Sequence, residues 1–182
     1  MENLNIREAD LFDVMNLAVL KQHVWISTYA LEGIRNEFSV YVLSDFTPDI
    51  IRQEIQDSNK IIYIAEINHH IIGCVELDFE SICPLKSEKG PEISVLYVLE
   101  RFTGMGIGQL LLDKSLLLCN ELNIESVWLT VYHKNERAIK FYLKNKFKEE
   151  GITFFELVNN QYENKIMTRE ITEEYNNTNI YS

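Results

Sequence analysis

The chain has 182 residues, of which 46% are hydrophobic and 25% charged, as in an ordinary globular protein with a sizeable core. Its formal net charge of −11 argues against a nucleic-acid partner, because neutralising phosphates requires clustered lysine and arginine. No apolar stretch approaches the roughly 18–20 residues that a membrane-spanning helix needs, so we also expect no membrane partner.

The distribution of charge and the number of cysteines indicate which ligands and which cellular location to expect. Residues 1–100 carry 17 acidic and 7 basic side chains, whereas residues 101–182 carry 11 and 10. The first half should therefore attract cations. Three cysteines leave one unpaired under any pairing, and the amino terminus lacks the basic and apolar regions of a secretory signal. We expect reduced thiols and a cytoplasmic location.

The first 45 residues are predicted to form one strand and two helices. LNIRE, residues 4–8, is predicted as a strand. Asp10 is expected to cap a helix through about Gln22, in which Lys21 continues the helical spacing of the apolar positions. Residues 24–45 are aromatic-rich and predict a second helix with an irregular end.

The next residues carry clear sequence signals for the start of a helix and for a hairpin turn. Thr47 as cap and Pro48 at the first helical position predict a third helix that runs to about Asp57. Residues 60–79 predict two strands joined in a hairpin at Asn68-His69.

The second half alternates predicted strands and helices. In chain order, the expected elements are a loop (80–90), a strand (91–98), a glycine loop, a helix to about Leu122, a strand (125–132), a helix (135–147) and two late strands (153–171). We expect one domain over residues 1–172, followed by a polar tail at 173–182.

The glycine loop lies in RFTGMGIGQLLL, residues 101–112. A Walker A loop is excluded because Gln109, rather than lysine, follows Gly108. The dinucleotide fingerprint fits poorly, since its third glycine should come one residue later and Glu125 lies at the wrong end of its strand. Two interpretations stay open: backbone N–H groups that hold a pyrophosphate at a helix start, or a tight turn.

The order of the motifs resembles the GCN5-related N-acetyltransferase (GNAT) superfamily. EISVLYV, RFTGMGIGQLLL and VWLTVYHKNERAIKFYLKNKF carry the resemblance, which covers about residues 91–148. It implies an α/β (α+β) fold with a mixed, mostly antiparallel sheet of six to seven strands flanked by four to five helices. It also implies acetyl-CoA as cosubstrate and a homodimer as a common family state; separately, we expect no metal.

The resemblance assigns cofactor contacts residue by residue. Pantetheine contacts fall on the backbone of Leu96, Tyr97 and Val98, while Asn135 and Tyr142 match positions that meet the cofactor arm and its sulfur. The implied pyrophosphate loop comprises Thr103, Gly104, Met105, Gly106, Ile107, Gly108 and Gln109. Two positions depart from the family pattern: Thr103 replaces an arginine or glutamine, and Lys146 replaces a glycine.

Acetyl transfer to an amine poses two proton problems. An alkylamine with a pKa of about 10 must lose a proton, and the departing thiolate is released more easily when an acid protonates it. Glu92 matches a family position for a general base that acts through water. The alternative interpretation is a solvent-facing glutamate at the start of a strand. Tyr142 is expected to be the general acid. The alternative interpretation is an aromatic residue of the core without a catalytic role. Backbone N–H groups near Leu96 to Val98 are expected to polarise the thioester carbonyl.

Basic side chains concentrate near the second motif. Six of them lie in residues 134–148: Lys134, Arg137, Lys140, Lys144, Lys146 and Lys148. One hypothesis is that some contact the adenosine phosphates of coenzyme A and partly offset Thr103. The alternative is a solvated helix face.

The acceptor is expected to be a small cationic amine. Trp25 and Tyr29, four residues apart, are predicted to stack against an alkyl ammonium with Glu32 nearby, unless they are simply core aromatics. The chain also loosely resembles bacterial polyamine and diamine acetyltransferases. A protein N-terminus or an aminoglycoside as acceptor, and a coenzyme A-binding module without turnover, remain as alternatives. The four histidines show no metal-ligand spacing.

Overall fold

Seven strands of one sheet form the centre of the computed structural model, which describes residues 3–86, 89–158 and 160–171. The strands are β1 (Leu4–Glu8), β2 (Lys60–Ile67), β3 (His70–Ile82), β4 (Lys89–Val98), β5 (Ser126–Tyr132), β6 (Lys148–Leu157) and β7 (Asn160–Glu170). The helices are α1 (Val14–Tyr29), α2 (Asn36–Asp45), α3 (Pro48–Gln56), α4 (Ile107–Glu121) and α5 (Glu136–Lys144). The tail predicted at 173–182 lies outside the described residues.

The sheet order is β1-β2-β3-β4-β5-β7-β6, and every neighbouring pair is antiparallel except β4 and β5. This arrangement confirms the expected mixed, mostly antiparallel sheet. The parallel pair shares a single residue pairing, Glu92 with Trp128, although β4 continues to Val98 and β5 to Tyr132. The two strands therefore diverge beyond Glu92 and leave a gap in the middle of the sheet.

A bulge in β4 accompanies this divergence. In the pairing with β3, Ile93 lies opposite Leu77 and Val95 lies opposite Glu76, so Ser94 is the extra residue. A bulge bends its strand and increases the local twist. The bend comes directly after the last pairing with β5, which explains why the gap opens there.

The helices cover both faces of the sheet. Leu111, Leu112 and Leu116 of α4 pack with the odd-numbered residues Val127, Leu129 and Val131 of β5. Across the sheet, buried residues of α1 and α3 pack against β2 and β3. A third cluster joins α1 and α2 to the end of β6 through aromatic rings.

Two helix boundaries differ from the predictions. Asp10 does not cap α1; its Oδ1 accepts the Phe12 N–H at 2.8 Å in a turn, and the helix begins at Val14. Instead of ending near Gln22, α1 runs to Tyr29, because nothing at His23 breaks it. The interruption falls at residues 30–35, where Gly33 has a φ of 113°.

Several local predictions are confirmed. Thr47 accepts the Ile50 N–H and Pro48 begins α3. The β2–β3 hairpin turns at Asn68 and His69, which both have positive φ, as a two-residue hairpin turn requires. The loop predicted at 80–90 is shorter, because pairing with β4 extends β3 to Ile82.

Helix α5 ends earlier than predicted, in a hydrogen-bonded C-terminal motif. The Phe147 N–H donates to the Tyr142 carbonyl and the Lys146 N–H donates to the Leu143 carbonyl, both at 3.1 Å. Lys146 has a φ of 64°, the left-handed conformation that favours glycine at this position. Lys146 therefore replaces the family glycine without changing the backbone conformation of this turn.

Candidate active site

The glycine loop presents a run of free backbone N–H groups. Thr103 N–H still donates to the Glu100 carbonyl at 3.1 Å, and the next N–H with a backbone acceptor is Leu110, bonded to Gly106. Amides 104–109 thus have no acceptor among the described residues. Gly104 and Gly106 have φ values of 77° and 86°, and a Cβ at either would meet nothing within 4 Å. Such a nest at a helix N-terminus favours an anion.

A cavity of about 420 Å³ lies at the open end of the gap between β4 and β5, and one of its lining residues, Arg137, is hydrogen-bonded to Thr103 of this loop. One wall is the second half of α1, and the other is the start of α5 together with the end of β4. The lining residues are His23, Val24, Ser27, Thr28, Leu31, Val98, Glu100, Lys134, Asn135, Glu136 and Arg137. The volume lies within the range of small-molecule sites.

The edge of β4 that faces the gap has unpaired backbone groups. Leu99 N–H donates to Ile72 of β3 at 2.9 Å, so by antiparallel alternation the polar groups of Tyr97 also face β3. Those of Leu96 and Val98 face the gap, where β5 no longer pairs with them. Of the three residues expected to contact pantetheine, Leu96 and Val98 thus present backbone groups to the gap, whereas those of Tyr97 face β3.

Tyr142 lies below the gap, on the α4–α5 face. Its ring is 7% exposed and packs against Phe141 and Phe147, with ring centroids at 5.3 and 5.4 Å. Burial raises the pKa of the Tyr142 phenol well above its ordinary value, so it remains protonated at neutral pH. Its hydroxyl has no hydrogen-bond partner within the described ranges. Asn135 accepts the Ala138 N–H at 3.1 Å and caps the N-terminus of α5, the helix that carries Tyr142.

Glu92 lies on the opposite face, at the point where β4 and β5 separate. Burial raises the pKa of its carboxyl, and the nearby Asp78 and Glu76 raise it further. Two groups oppose this shift: the Ser81 hydroxyl, which donates to Oε2 at 2.5 Å, and the Lys60 ammonium. A carboxylate with a raised pKa is the type of group that serves as a general base.

A buried ion cluster adjoins Glu92 on this face. Lys21 is 1% exposed and donates to Glu54 at 2.5 Å and to Glu76 at 2.7 Å. Burial lowers the pKa of Lys21, but the two carboxylates outweigh burial and the net pKa is raised. Lys60 contacts Glu76 at 3.2 Å and Asp78 at 3.4 Å. With Glu92, four carboxylates face two ammonium groups.

The residues expected to bind the acceptor lie in different environments. Trp25 is 3% exposed and is enclosed by Tyr29, Phe38 and Tyr41, which corrects the expectation that its ring stacks directly against a ligand. Tyr29 is half-buried, with its ring stacked on Trp25 at 4.6 Å and on Tyr132 at 4.7 Å. Glu32 is exposed in the α1–α2 connection and forms an ion pair with Arg35 at 3.8 Å.

The basic residues near α5 divide into two groups. Lys134 and Arg137 line the cavity, whereas Lys140 points to Glu136 at 3.2 Å on the exposed helix surface. Arg137 Nη1 also donates to Thr103 Oγ1 at 3.2 Å.

Two features escaped the sequence interpretation. Ser81 falls in a segment predicted as a loop, and no local signal links it to Glu92. Lys21 had a visible signal, since a lysine at an apolar position of a helix indicates a buried, paired charge. All three cysteines are free and buried, and Cys119 is a core residue of α4.

Comparison with known proteins identifies the family. The sequence model described as "Acetyltransferase (GNAT) family" matches residues 28–147. The chain belongs to the GNAT acetyltransferase family. An uncharacterised N-acetyltransferase of Mycobacterium tuberculosis is 34% identical over 84 residues, which are 46% of this chain and 54% of the relative. One from Archaeoglobus fulgidus is 36% identical over 81 residues, 44% and 55% of the two chains. The chain thus spans about half the length of the curated relatives it matches.

Solved structures share the GNAT fold. The PaiA N-acetyltransferase of Thermoplasma acidophilum, in complex with coenzyme A, superposes with a TM-score of 0.72 at 20% identity, covering 92% of this chain and 99% of that one. A variant of the spermidine N-acetyltransferase SpeG from Vibrio cholerae gives 0.67 at 21% identity, covering 97% and 98%.

The described residues hold neither a cluster of metal ligands nor a membrane-spanning helix. Across 3–86, 89–158 and 160–171, no three histidine, cysteine, aspartate or glutamate side chains lie together as metal ligands would. Over the same ranges, no helix combines the length and the apolar character needed to cross a bilayer.

Proposed function

We propose that this GNAT chain transfers the acetyl group of acetyl-CoA to a primary amine of a small cationic acceptor. The observation that carries the proposal is the gap between β4 and β5, which has free amides 104–109 at one end and Glu92 at the other. Coenzyme A supplies the thioester whose acetyl group is transferred. The complex of PaiA with coenzyme A supports the choice of cosubstrate.

The cofactor side of the site is suited to a long, phosphate-bearing molecule. Within the Thr103–Gln109 loop, the free backbone N–H groups of residues 104–109 and the positive end of α4 hold the pyrophosphate. The gap-facing backbone of Leu96 and Val98 holds the pantetheine arm, and Asn135 lies beside the same cavity. One of the β4 N–H groups polarises the thioester carbonyl, where negative charge develops during attack.

Glu92 removes a proton from the acceptor ammonium, which frees the nitrogen lone pair to attack the acetyl carbon. Glu92 and Leu96 are four residues apart on an extended strand, a distance of roughly 13 Å, so water connects the carboxylate to an amine that attacks beside Leu96. Asp78 lies beside it and adds negative charge that attracts the cation, whereas Glu76 is already paired with Lys21 and Lys60.

Tyr142 donates its phenolic proton to the departing sulfur as the carbon–sulfur bond breaks and the carbon–nitrogen bond forms. Burial raises the pKa of Tyr142, but the same low-polarity surroundings raise the proton affinity of a thiolate formed there. The ammonium loses two protons overall and the thiol gains one, so one proton leaves per turnover. Tyr142 recovers its proton in that exchange.

The acceptor is polyamine-like. The cluster of Glu54, Glu76, Asp78 and Glu92 has two more carboxylates than ammonium groups, and the remaining negative charge favours multiply charged amines. The ring of Tyr29 and the exposed carboxylate of Glu32 are further candidate contacts. The fold shared with SpeG, a spermidine N-acetyltransferase, is consistent with this class of acceptor.

Thiol release from acetyl-CoA, measured across a panel of amines, tests the proposal. Diamines and triamines should be acetylated faster than a peptide N-terminus or an aminoglycoside. Binding of coenzyme A without turnover on any amine would favour a non-catalytic module instead.

A further inference from the structure

Arg137 connects the start of α5 to the glycine loop. Its Nη1 donates to Thr103 Oγ1 at 3.2 Å, and the Thr103 hydroxyl in turn donates to the Glu100 carbonyl at 2.7 Å. The bond to Glu100 fixes the hydroxyl proton, so the oxygen lone pairs point toward the guanidinium. Thr103 thereby holds Arg137 beside amides 104–109.

The remaining N–H groups of Arg137 are available for a ligand. A guanidinium has five donors, and Thr103 is the acceptor that the described residues provide for it. Arg137 also lines the 420 Å³ cavity. The neighbouring Glu136 is engaged by Lys140, so it does not neutralise Arg137 directly.

The geometry points to Arg137 as the side chain that binds the diphosphate of coenzyme A, with Thr103 as its positioning residue. The inference rests on the proposed function, since it presupposes that the glycine loop holds this cofactor. Six backbone dipoles provide only partial charges, whereas a diphosphate carries full negative charges. A planar guanidinium matches its oxygens with two parallel hydrogen bonds.

Other nearby cations fit this role less well. Lys134 lines the cavity, but no hydrogen bond or ion pair to the described residues fixes its ammonium. Lys140 is exposed and paired with Glu136. Arg137 is exposed, and its hydrogen bond to Thr103 restrains it before the ligand arrives, which reduces the entropy lost on binding.

Calorimetric titration of coenzyme A and 3′-dephospho-coenzyme A into the intact protein tests the assignment. Arg137→Gln should weaken the binding of both ligands about tenfold, because both contain the diphosphate. Lys140→Gln removes a positive charge from the same helix and should change either affinity by less than about twofold. Melting temperatures of both variants confirm that they are folded.

The role of Thr103 is tested in the same titrations. Thr103→Val should weaken binding about threefold, and Thr103→Ser should restore it, because the hydroxyl is retained. The double variant R137Q/T103V should bind no more weakly than R137Q alone, since Thr103 acts through Arg137.

Each contrary outcome has a distinct meaning. Equal affinities for R137Q and K140Q would overturn the inference, and so would a loss confined to coenzyme A, because that pattern places Arg137 at the 3′-phosphate. If the unmodified protein bound neither ligand, the proposed function would fail and the inference with it.

Discussion

At the scale of single residues, neighbouring groups shift the pKa of the Glu92 carboxyl in opposite directions. Burial and two neighbouring carboxylates raise its pKa, while the Ser81 hydroxyl bond and Lys60 lower it. Ser81→Ala removes one group that stabilises the ionised form, so the pKa of Glu92 should rise. Activity requires ionised Glu92, and the acidic limb of the kcat/KM–pH profile should therefore move to higher pH.

Ser94 provides the matched control, because its hydroxyl donates to Glu76 at 3.0 Å and not to Glu92. Ser94→Ala should leave the limb closer to its original position than Ser81→Ala does. Glu92→Gln should abolish the limb together with most of the activity. A limb that persists in Glu92→Gln would show that another group is the base.

Removing the Tyr142 hydroxyl should change the rate of catalysis without changing the stability of the fold. Tyr142→Phe should lower kcat about 10- to 100-fold with little change in the KM for acetyl-CoA, as expected for a lost general acid. Stability should be nearly unchanged, because no described residue bonds to the hydroxyl. Steady-state kinetics and thermal melting measure the two effects.

The control for Tyr142 is Tyr63→Phe, which removes a phenol of β2 in the same core. Its kcat should stay close to that of the unmodified protein. If Tyr142→Phe matched it in kcat, Tyr142 would be only a core aromatic.

At the scale of elements, the start of α4 depends on glycine. Gly106→Ala places a side chain at a φ of 86°, a strain of about 1–2 kcal/mol, and adds a methyl group to the nest of amides. The KM for acetyl-CoA should rise about tenfold. Gly33→Ala introduces backbone strain at a φ of 113° away from the nest and should leave this KM unchanged. Equal KM values for the two variants would contradict the proposed role of the loop.

The C-terminus of α5 offers a stability prediction. Lys146 bears the left-handed conformation at a position where glycine is favoured, so Lys146→Gly should stabilise the protein by about 0.5–1 kcal/mol. Lys144→Gly, inside the last helical turn, should destabilise it by a similar amount. Chemical denaturation measures both, and a destabilised Lys146→Gly would show that the lysine side chain contributes more than the backbone strain costs.

Elements with strong local signals could be predicted from the sequence, and those set by distant contacts could not. Thr47-Pro48 and Asn68-His69 favour a particular local backbone conformation. The predictions of α3 and of the β2–β3 turn, which rest on these residues, are therefore confirmed. The continuation of β3 to Ile82 depends on pairing with β4, and the separation of β4 from β5 depends on the bulge at Ser94. The family resemblance pointed to Glu92 and Tyr142, whose roles stay predictions, whereas Ser81 and the Arg137–Thr103 contact arise only from tertiary packing.

At the scale of the whole molecule, negative charge is concentrated in residues 1–100, which include the ion cluster beside Glu92. Such a field should accelerate the capture of cationic acceptors. The kcat/KM for a triamine should fall several-fold as salt rises from about 50 to 500 mM, because the Debye length shortens over this range. A monoamine should show a shallower dependence. Equal slopes for the two amines would remove the electrostatic argument for the acceptor.

The central claim is acetyl transfer from acetyl-CoA to a small cationic amine. The most direct measurement gives the protein isotopically labelled acetyl-CoA with an equimolar mixture of a triamine, a diamine, an aminoglycoside and a short peptide, and identifies the products by mass spectrometry. We expect the label on a primary nitrogen of the triamine or diamine, and not in the Glu92→Gln variant. Label found mainly on the peptide N-terminus or the aminoglycoside, or on none of the four, would contradict the account.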